Sequence, residues 1–582
     1  MPTLEWIGKS KVINHHQDVP FRVLEEKYTY NNSASENKII HGDNLEALKS
    51  LLPEYEGRIN CIYIDPPYNT GEEKWVYNDN VNDPKIKKWL GEVVGKEGED
   101  LSRHDKWLCM MYPRLRLLHQ LLAEDGVIFI NIDDNEQAHL RVICDEIFGA
   151  VNFLAAIAWE KRYTRSNNAK LFYSLKDTIL CYRKSPLLAT IKEERTEKAD
   201  SNYSNPDNDP RGPWSTSSYV NPATKSARPN LVYTIIGPDG REVNHPTHAW
   251  KYQYSEHLQH IKENRLWWGN TGDAIFPRLK IYKNEMPSMV PVDLWNYKDT
   301  GTTDDGGNTL KEIFGSMTFD TPKPVSLIER IIKMIPDQNA LFLDSFAGSG
   351  TTAHAVLDLN KKDGGKRKFI LIEMEEYADS ITAERVKRVI DGYQSQKETN
   401  EILYDKKITL TNLKKGVEKL IQKAEDKAES EAGNYDKISG PDFVEGHLRV
   451  TGTKFASENI EGTGGDFTYY ELGEPLLKAD QTLNEEVPVE KIQHYIWHTE
   501  TRTPYAKPEN ENPTYLGEYN HTAYYFHYKK DELTTLDYNF LAGVNVKADN
   551  YVIYADTCLL SQEELSAYNI TFKKIPRDIT KI

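Results

Sequence analysis

The segment Ile59-Asn60-Cys61-Ile62-Tyr63-Ile64 followed by Asp65-Pro66-Pro67-Tyr68 decides how the rest of the chain is read. A short apolar run bounded by a turn signal reads as a buried strand. Its closing tetrapeptide places an acid, two rigid carbonyls and an aromatic face together at the strand's end. About 280 residues later, Leu341-Phe342-Leu343-Asp344 reads as a second such strand. It leads through Phe346-Ala347-Gly348-Ser349-Gly350 into Thr351-Thr352, a glycine-rich turn ahead of a helix.

Working outward, residues 39 to 149 alternate strand and helix signals, as an α/β layer fold requires. Ile39-Ile40 ends at His41-Gly42-Asp43, after which Leu45, Leu48, Leu51 and Leu52 mark one helical face. Trp107, Met110, Met111, Leu115 and Leu118 mark another, ahead of the strand Val127-Ile128-Phe129-Ile130-Asn131-Ile132. The polar stretch from Asn69 to His104 is too long for a plain connection and reads as a functional loop. From about Trp159 to Thr300 the rhythm breaks into aromatics, basic residues and Pro/Gly/Asn turns, which predicts an inserted domain. The α/β pattern returns with a helix over 324–334, the strand at 341–344, a helix over 351–359 and a strand at 369–373. Leu413, Val417, Leu420, Ile421 and Ala424 then suit one helical face. The expected division is an N-terminal arm (1–35), a first α/β half (36–158), the insertion (159–300), a second half (301–400), a helical spacer (401–436) and a small α+β domain (437–582).

At 582 residues the chain exceeds one compact core, and 39% hydrophobic with 28% charged residues fits a globular protein. The sequence shows neither a basic-then-apolar leader at Met1 nor a run near the ~18 apolar residues that cross a bilayer, so a cytoplasmic location without membrane contact is expected. The five cysteines are scattered and no CxxC or Cys/His pair occurs, so no metal is expected. A net charge of −17 is unfavourable for meeting phosphates. Residues 160–300, however, carry 21 Lys plus Arg against 16 Asp plus Glu, a local +5.

The tetrapeptide suits a hard piece of chemistry. An exocyclic amino group is a poor nucleophile because its lone pair is delocalised into the ring. Acceptors that hold its hydrogens draw the nitrogen toward tetrahedral geometry. Asp65 offers a carboxylate and Pro66 a carbonyl, while the rigid Pro66-Pro67 pair aims both at one spot. Tyr68 offers a face on which a base extruded from its helix can stack. The plainer reading is a strand-ending turn that caps a helix. In the second motif, Gly348 and Gly350 let backbone pass close to a ligand. No third glycine completes the dinucleotide fingerprint, so a nicotinamide is disfavoured. Glu373 ends the next strand about 23 residues after Gly350, where an acid can accept ribose hydroxyls.

These residues resemble the β-class DNA adenine-N6 methyltransferases, in particular the modification (Mod) subunits of type III restriction–modification systems. The likeness runs from about 36 to 400 and includes His41-Gly42-Asp43-Asn44-Leu45-Glu46-Ala47-Leu48, Ile64-Asp65-Pro66-Pro67-Tyr68-Asn69-Thr70-Gly71, Tyr77-Asn78-Asp79 and Phe319-Asp320-Thr321-Pro322-Lys323-Pro324. It implies a circularly permuted S-adenosylmethionine-dependent methyltransferase (Rossmann-like) α/β fold with an inserted target-recognition domain. Asp43 would then lie near the donor's adenine, Lys323 near its methionine carboxylate, residues Asp344 to Thr352 around the methionine moiety and Glu373 on the ribose. Asp43 also suits an N-cap role for the helix beginning at Asn44. Asp65, Pro66, Pro67 and Tyr68 would form the catalytic motif, with Asp in the first place marking the adenine-N6 form. Arg162, Arg165, Asn167 and Lys170 are candidates for DNA contacts, although the insertion's rings equally suit an ordinary core. The stretch around Gly464-Gly465-Asp466-Phe467 resembles the same Mod subunits and implies a homodimer on double-stranded DNA that can join a helicase–nuclease partner. The alternatives are N4-cytosine methylation, or a chain serving chiefly as the DNA-recognition subunit of a nuclease. RNA or protein methylation is weaker, since such enzymes commonly carry Asn where Asp65 stands.

Overall fold

The structure is a computed structural model; it describes residues 3–32, 34–70, 103–165, 171–195, 197–286, 288–409, 416–444, 446–478, 480, 482–510, 512–576 and 579. Ten strands form one sheet: β1 (Arg22–Tyr30), β2 (Lys38–His41), β3 (Ile59–Ile64), β4 (Leu122–Ile132), β5 (Phe153–Glu160), β6 (Lys176–Arg183), β7 (Leu294–Trp295), β8 (Leu341–Asp344), β9 (Lys368–Glu373) and β10 (Phe467–Pro475). Their spatial order is β1-β10-β2-β9-β8-β3-β4-β6-β5-β7. From β10 across to β4 every neighbouring pair is parallel. Strand β6 runs antiparallel between β4 and β5, and β1 runs antiparallel along β10.

Parallel strands covered on both faces need nearly unbroken apolar runs. Ile62, Ile64, Ile128, Ile130, Leu343, Ile370, Leu371 and Ile372 are all fully buried. Helices α1 (Asn44–Tyr55), α2 (Arg103–Leu121), α3 (Thr303–Phe314), α4 (Val325–Lys333) and α5 (Thr351–Asp363) accompany the sheet. The faces read from the sequence are those the core takes up: Leu45, Leu48, Leu51 and Leu52 on α1, and Trp107, Met110, Met111, Leu115 and Leu118 on α2.

The topology places the site. Strand β3 is followed by α2 and its right-hand neighbour β4, whereas β8 is followed by α5 and its left-hand neighbour β9. Because β3 and β8 are themselves adjacent, with Phe342 opposite Cys61, the two crossovers diverge between them. That is a topological switch point, where a crevice opens beyond the carboxyl ends of the strands. Asp65 and Asp344 stand at those ends.

The chain divides otherwise than the sequence led us to expect. The compact inserted unit is Thr190–Pro291 rather than 159–300. Strands β5, β6 and β7 belong to the main sheet, although their aromatic and basic surroundings resembled the insertion. Within 190–291 the charge is nearly balanced, 13 Lys plus Arg against 12 Asp plus Glu, so the basic excess lies in the segment before it. The insertion is built of short antiparallel ladders around Tyr219, Ile235, Trp250 and Trp268, so many of its rings are ordinary core.

The arm at 1–35 and the region at 437–582 are not separate either. They contribute β1 and β10, which pair with each other from Arg22 opposite Pro475 to Tyr30 opposite Phe467. Nor is 401–436 wholly helical. A long strand, Gly392–Lys407, precedes the helix Glu418–Glu431 and pairs with His447–Glu461.

Candidate functional site

Asp65 is half-buried and held on both carboxylate oxygens. Its Oδ1 accepts from the Tyr68 hydroxyl at 3.0 Å and from Asn131 Nδ2 at 3.2 Å; its Oδ2 pairs with the Lys323 ammonium. That ammonium also stands 5.3 Å over the Tyr68 ring, a cation–π contact. The Tyr68 hydroxyl reaches Asp177 Oδ2 at 3.2 Å as well, and Asn131 bonds to it. Burial, reinforced by the Asp177 and Asp65 carboxylates, raises the Tyr68 phenol well above its ordinary range and keeps it a donor. Asp177 is buried and neutralised by Lys161 at 2.6 Å. Trp107 Nε1 donates to the Pro67 carbonyl at 2.6 Å, which fixes the second proline and leaves Pro66 on the cavity wall.

The glycine-rich turn is held from behind. Asp344 accepts from the Thr352 hydroxyl at 2.6 Å and from Phe346 N at 3.1 Å. Burial pushes its carboxyl up to about 7, against the pull of those two bonds. Glu373 accepts from Gly348 N at 2.7 Å and from Glu375 N at 3.1 Å, and burial raises it to about 8. Gly348 and Gly350 have φ of 52° and 80°. A Cβ on Gly350 would stand 3.1 Å from the Thr382 carbonyl, so glycine is needed there for both conformation and space. Arg385, fully buried, donates to Ser349 Oγ at 2.9 Å and to Thr351 Oγ1 at 2.8 Å.

Both ends meet in one cavity of about 250 Å³. Asp65, Pro66 and Tyr68 line it together with Asp344, Phe346, Ala347, Gly348, Thr351 and Thr352, and Lys323 and Arg162 are also at its wall. The remaining expected residues take other places. Asp43 caps α1, accepting from Leu45 N at 2.8 Å and Glu46 N at 3.3 Å, and faces Arg114 at 3.5 Å. Pro67, Gly350 and Glu373 are not among the residues that line this cavity. Lys323 sits at Asp65. Arg165 is exposed in the β5–β6 connection, and Asn167 and Lys170 lie outside the described residues.

Sequence reasoning missed Asn131, Asp177, Lys161 and Trp107. The available signal was polarity in an apolar strand: Asn131 interrupts Ile128-Phe129-Ile130, and Asp177 precedes Thr178-Ile179-Leu180. A buried polar group in such a run needs a partner, which here is the site itself. Also unforeseen is a group beside the tetrapeptide. Fully buried Glu136 bonds His104 Nδ1 at 2.7 Å, His139 Nδ1 at 2.9 Å and Asn69 Nδ2, which ties down the residue after Tyr68. The three His and Glu ligand atoms lie within 4.8 Å of one another, a grouping that separations of 32 and 35 residues in the chain conceal. Two imidazole–carboxylate hydrogen bonds account for its geometry.

Lys323 is carried by a segment pressed against α3. A Cβ at Gly306 would lie 2.1 Å from the Pro322 carbonyl oxygen and 3.0 Å from that of Lys323. Gly306→Ala therefore forces α3 and the Lys323 segment apart. We expect a loss of about 1–3 kcal/mol in unfolding free energy, read by denaturant titration.

A doubly wound α/β protein with a ligand cavity at its switch point, walled by a carboxylate–proline–tyrosine cage and a glycine-rich turn, is what fold and site define. The family model described as DNA methylase matches residues 59–384, and the chain belongs to that family. It is 32% identical over 417 residues to the type III restriction–modification enzyme StyLTI Mod subunit of Salmonella typhimurium, covering 66% of this chain and 60% of the relative. To the EcoPI Mod subunit of Escherichia phage P1 it is 31% identical over 427 residues, 64% of each chain. The matched stretches thus span about 60–64% of these relatives' lengths. A solved structure described as PvuII DNA methyltransferase (cytosine-N4-specific) is similar over 62% of this chain and 90% of its own, at 14% identity and a TM-score of 0.32. Among the described residues, no helix is long and apolar enough to cross a membrane.

Proposed function

We propose that this chain transfers a methyl group from S-adenosylmethionine to adenine N6 within a short asymmetric sequence of double-stranded DNA, as the modification subunit of a type III restriction–modification system. The observation that carries this reading is that Asp65 and Gly348 line one cavity. A base on the tetrapeptide and a donor on the glycine turn would face each other with no wall between them.

The residues fit the donor. Gly348 and Ala347 offer backbone rather than bulk to the cavity, and Glu373 behind them is a strong acceptor once ionised. S-adenosylmethionine supplies a methyl carbon on a sulfonium, whose departure leaves a neutral thioether. The chain's part is position and electrostatics. Asp65 and the Pro66 carbonyl accept the two hydrogens of the target amino group, Tyr68 stacks on the base, and Asp65 eases the charge growing on nitrogen until its proton passes to water. Lys323 holds Asp65 through its ammonium. Lys323 would be the cation to hold a donor's carboxylate, and turning to it would free Asp65 Oδ2 for the target. Asp rather than Ser before Pro66 favours adenine over cytosine. A homodimer able to recruit a helicase–nuclease partner, working in the cytoplasm, is the assembly this reading carries.

The test is chemical. Genomic DNA from a host with and without this chain is digested to nucleosides and sequenced for modified bases. N6-methyladenine at one short motif is expected only with the chain present. N4-methylcytosine would favour the alternative, and no modified base would contradict the reading.

A pH dependence follows from the raised carboxyls. Below its raised value Glu373 is protonated, and it must ionise to accept both ribose hydroxyls. Donor affinity is therefore expected to rise with pH up to about 8, by at most about tenfold per unit for a single ionisation. Calorimetry in buffers of different ionisation enthalpy should show about one proton released on binding at pH 7. For folding stability the sign is opposite. Carboxyls raised to about 7 and about 8 favour the folded chain fully below the unfolded value near 4, and that contribution is lost as pH rises to 8.

A further inference from the structure

We propose that Phe172, with Leu171 beside it, is the apolar wedge that enters the duplex where the target base leaves the stack; this rests on the methyltransferase reading above. The two side chains are 99% and 93% exposed, the most exposed of the chain's large apolar residues that the structure describes. They lie in the connection between β5 and β6, whose last paired residues are Glu160 and Lys176.

That connection is tied to the cavity at its base. Lys161 and Arg162 line the cavity wall. Arg162 donates through its backbone N to the Leu175 carbonyl at 3.3 Å and through its guanidinium to the Tyr173 hydroxyl at 2.7 Å. Phe172 is the residue next to Tyr173, whose hydroxyl is bonded to a residue of the cavity wall. Across the strands' other end of this loop, Tyr163 stacks on Tyr297 at 5.0 Å, which stiffens the platform.

The surroundings select the occupant. The connection itself, 161–175, carries Lys161, Arg162, Arg165 and Lys170 and no Asp or Glu, within a protein of net −17. An apolar pair on a basic platform suits a polyanion with stacked apolar bases inside it. The cavity is reached by a base only after it leaves the helix, and that departure opens a gap in the stack. A planar ring beside the mouth can fill the gap and hold the base out. Leu171 widens the same wedge.

The test compares the wild-type chain with Phe172→Ala and Phe172→Trp on two duplexes containing the mapped recognition site. One carries a normally paired target adenine, the other the same adenine opposite an abasic site. Phe172→Ala is expected to lower kcat/KM on the paired duplex by about 10- to 100-fold, and to come within about threefold of wild type on the abasic duplex, where extrusion is already easy. Phe172→Trp should retain activity on both. Equal loss on both duplexes, or no loss on either, would overturn the wedge, the second outcome assigning the patch to a protein contact. A wild-type chain inactive on both duplexes would instead overturn the methyltransferase reading and the wedge with it. Melting temperatures of the variants verify that the fold is intact.

Discussion

Asp65→Ala is expected to lower the rate of methyl transfer by roughly 10²–10³-fold or more, the size of effect seen when a preorganised electrostatic partner is removed from a reacting centre. Donor affinity should hold or rise, because the variant releases the Lys323 ammonium from its pair with Asp65. Single-turnover transfer of a labelled methyl group gives the rate, and calorimetry with S-adenosylhomocysteine gives the affinity. Asp65→Asn refines the assignment. It keeps an acceptor oxygen but gives up the charge that pairs with Lys323 and eases the cation on nitrogen. A loss nearly as large as for alanine would show that charge, rather than hydrogen-bond geometry, is what Asp65 contributes. Unchanged turnover in either variant would remove it from the reaction.

The second large effect is expected at Tyr68, where two roles separate. Tyr68→Ala deletes the stacking face, worth ~1–3 kcal/mol per base, so kcat/KM should fall by roughly 5- to 150-fold. Tyr68→Phe keeps the face and removes only the hydroxyl that bonds Asp65, Asp177 and Asn131. The one hydroxyl hydrogen shared by Asp65 and Asp177 is then lost and Asn131 Nδ2 loses an acceptor, which costs on the order of 1–3 kcal/mol. That cost should appear in folding stability and in the placement of Asp65, and less in base affinity. Binding of a duplex with 2-aminopurine at the target position reads extrusion directly. Weak fluorescence with Tyr68→Ala and strong fluorescence with Tyr68→Phe is the expected pattern.

Much of the main sheet was legible because its signals are local. Strands β3, β8 and β9 are short, continuous apolar runs, and the faces of α1 and α2 recur at helical spacing. The cage and the glycine turn were legible for a related reason, since each packs its chemistry into a few consecutive residues after a strand. Their meeting in one cavity follows from the adjacency of β3 and β8.

What escaped the sequence is non-local. Strand β10 reaches the sheet from the far end of the chain and pairs with β1 and β2 more than 400 residues away, a partnership no periodicity encodes. The insertion's boundary was drawn too early because β5 and β6 carry aromatics and cations for the main unit, where Lys161 and Asp177 serve the site. Lys323 shows the same limit at the scale of one residue. Its place in the motif said it belonged to the cavity, but not that its ammonium would neutralise Asp65.

The central claim is that the Asp65–Tyr68 cage and the Phe346–Thr352 turn hold two reactants in one space. The most direct measurement is a crystal structure of the chain with sinefungin, in which an amine replaces the transferable methyl group. The account predicts the analogue along the glycine turn, its ribose toward Glu373 and its amine facing Asp65 across the shared cavity. An analogue bound elsewhere, or bound there with its amine turned away from Asp65 behind a wall of protein, would contradict it.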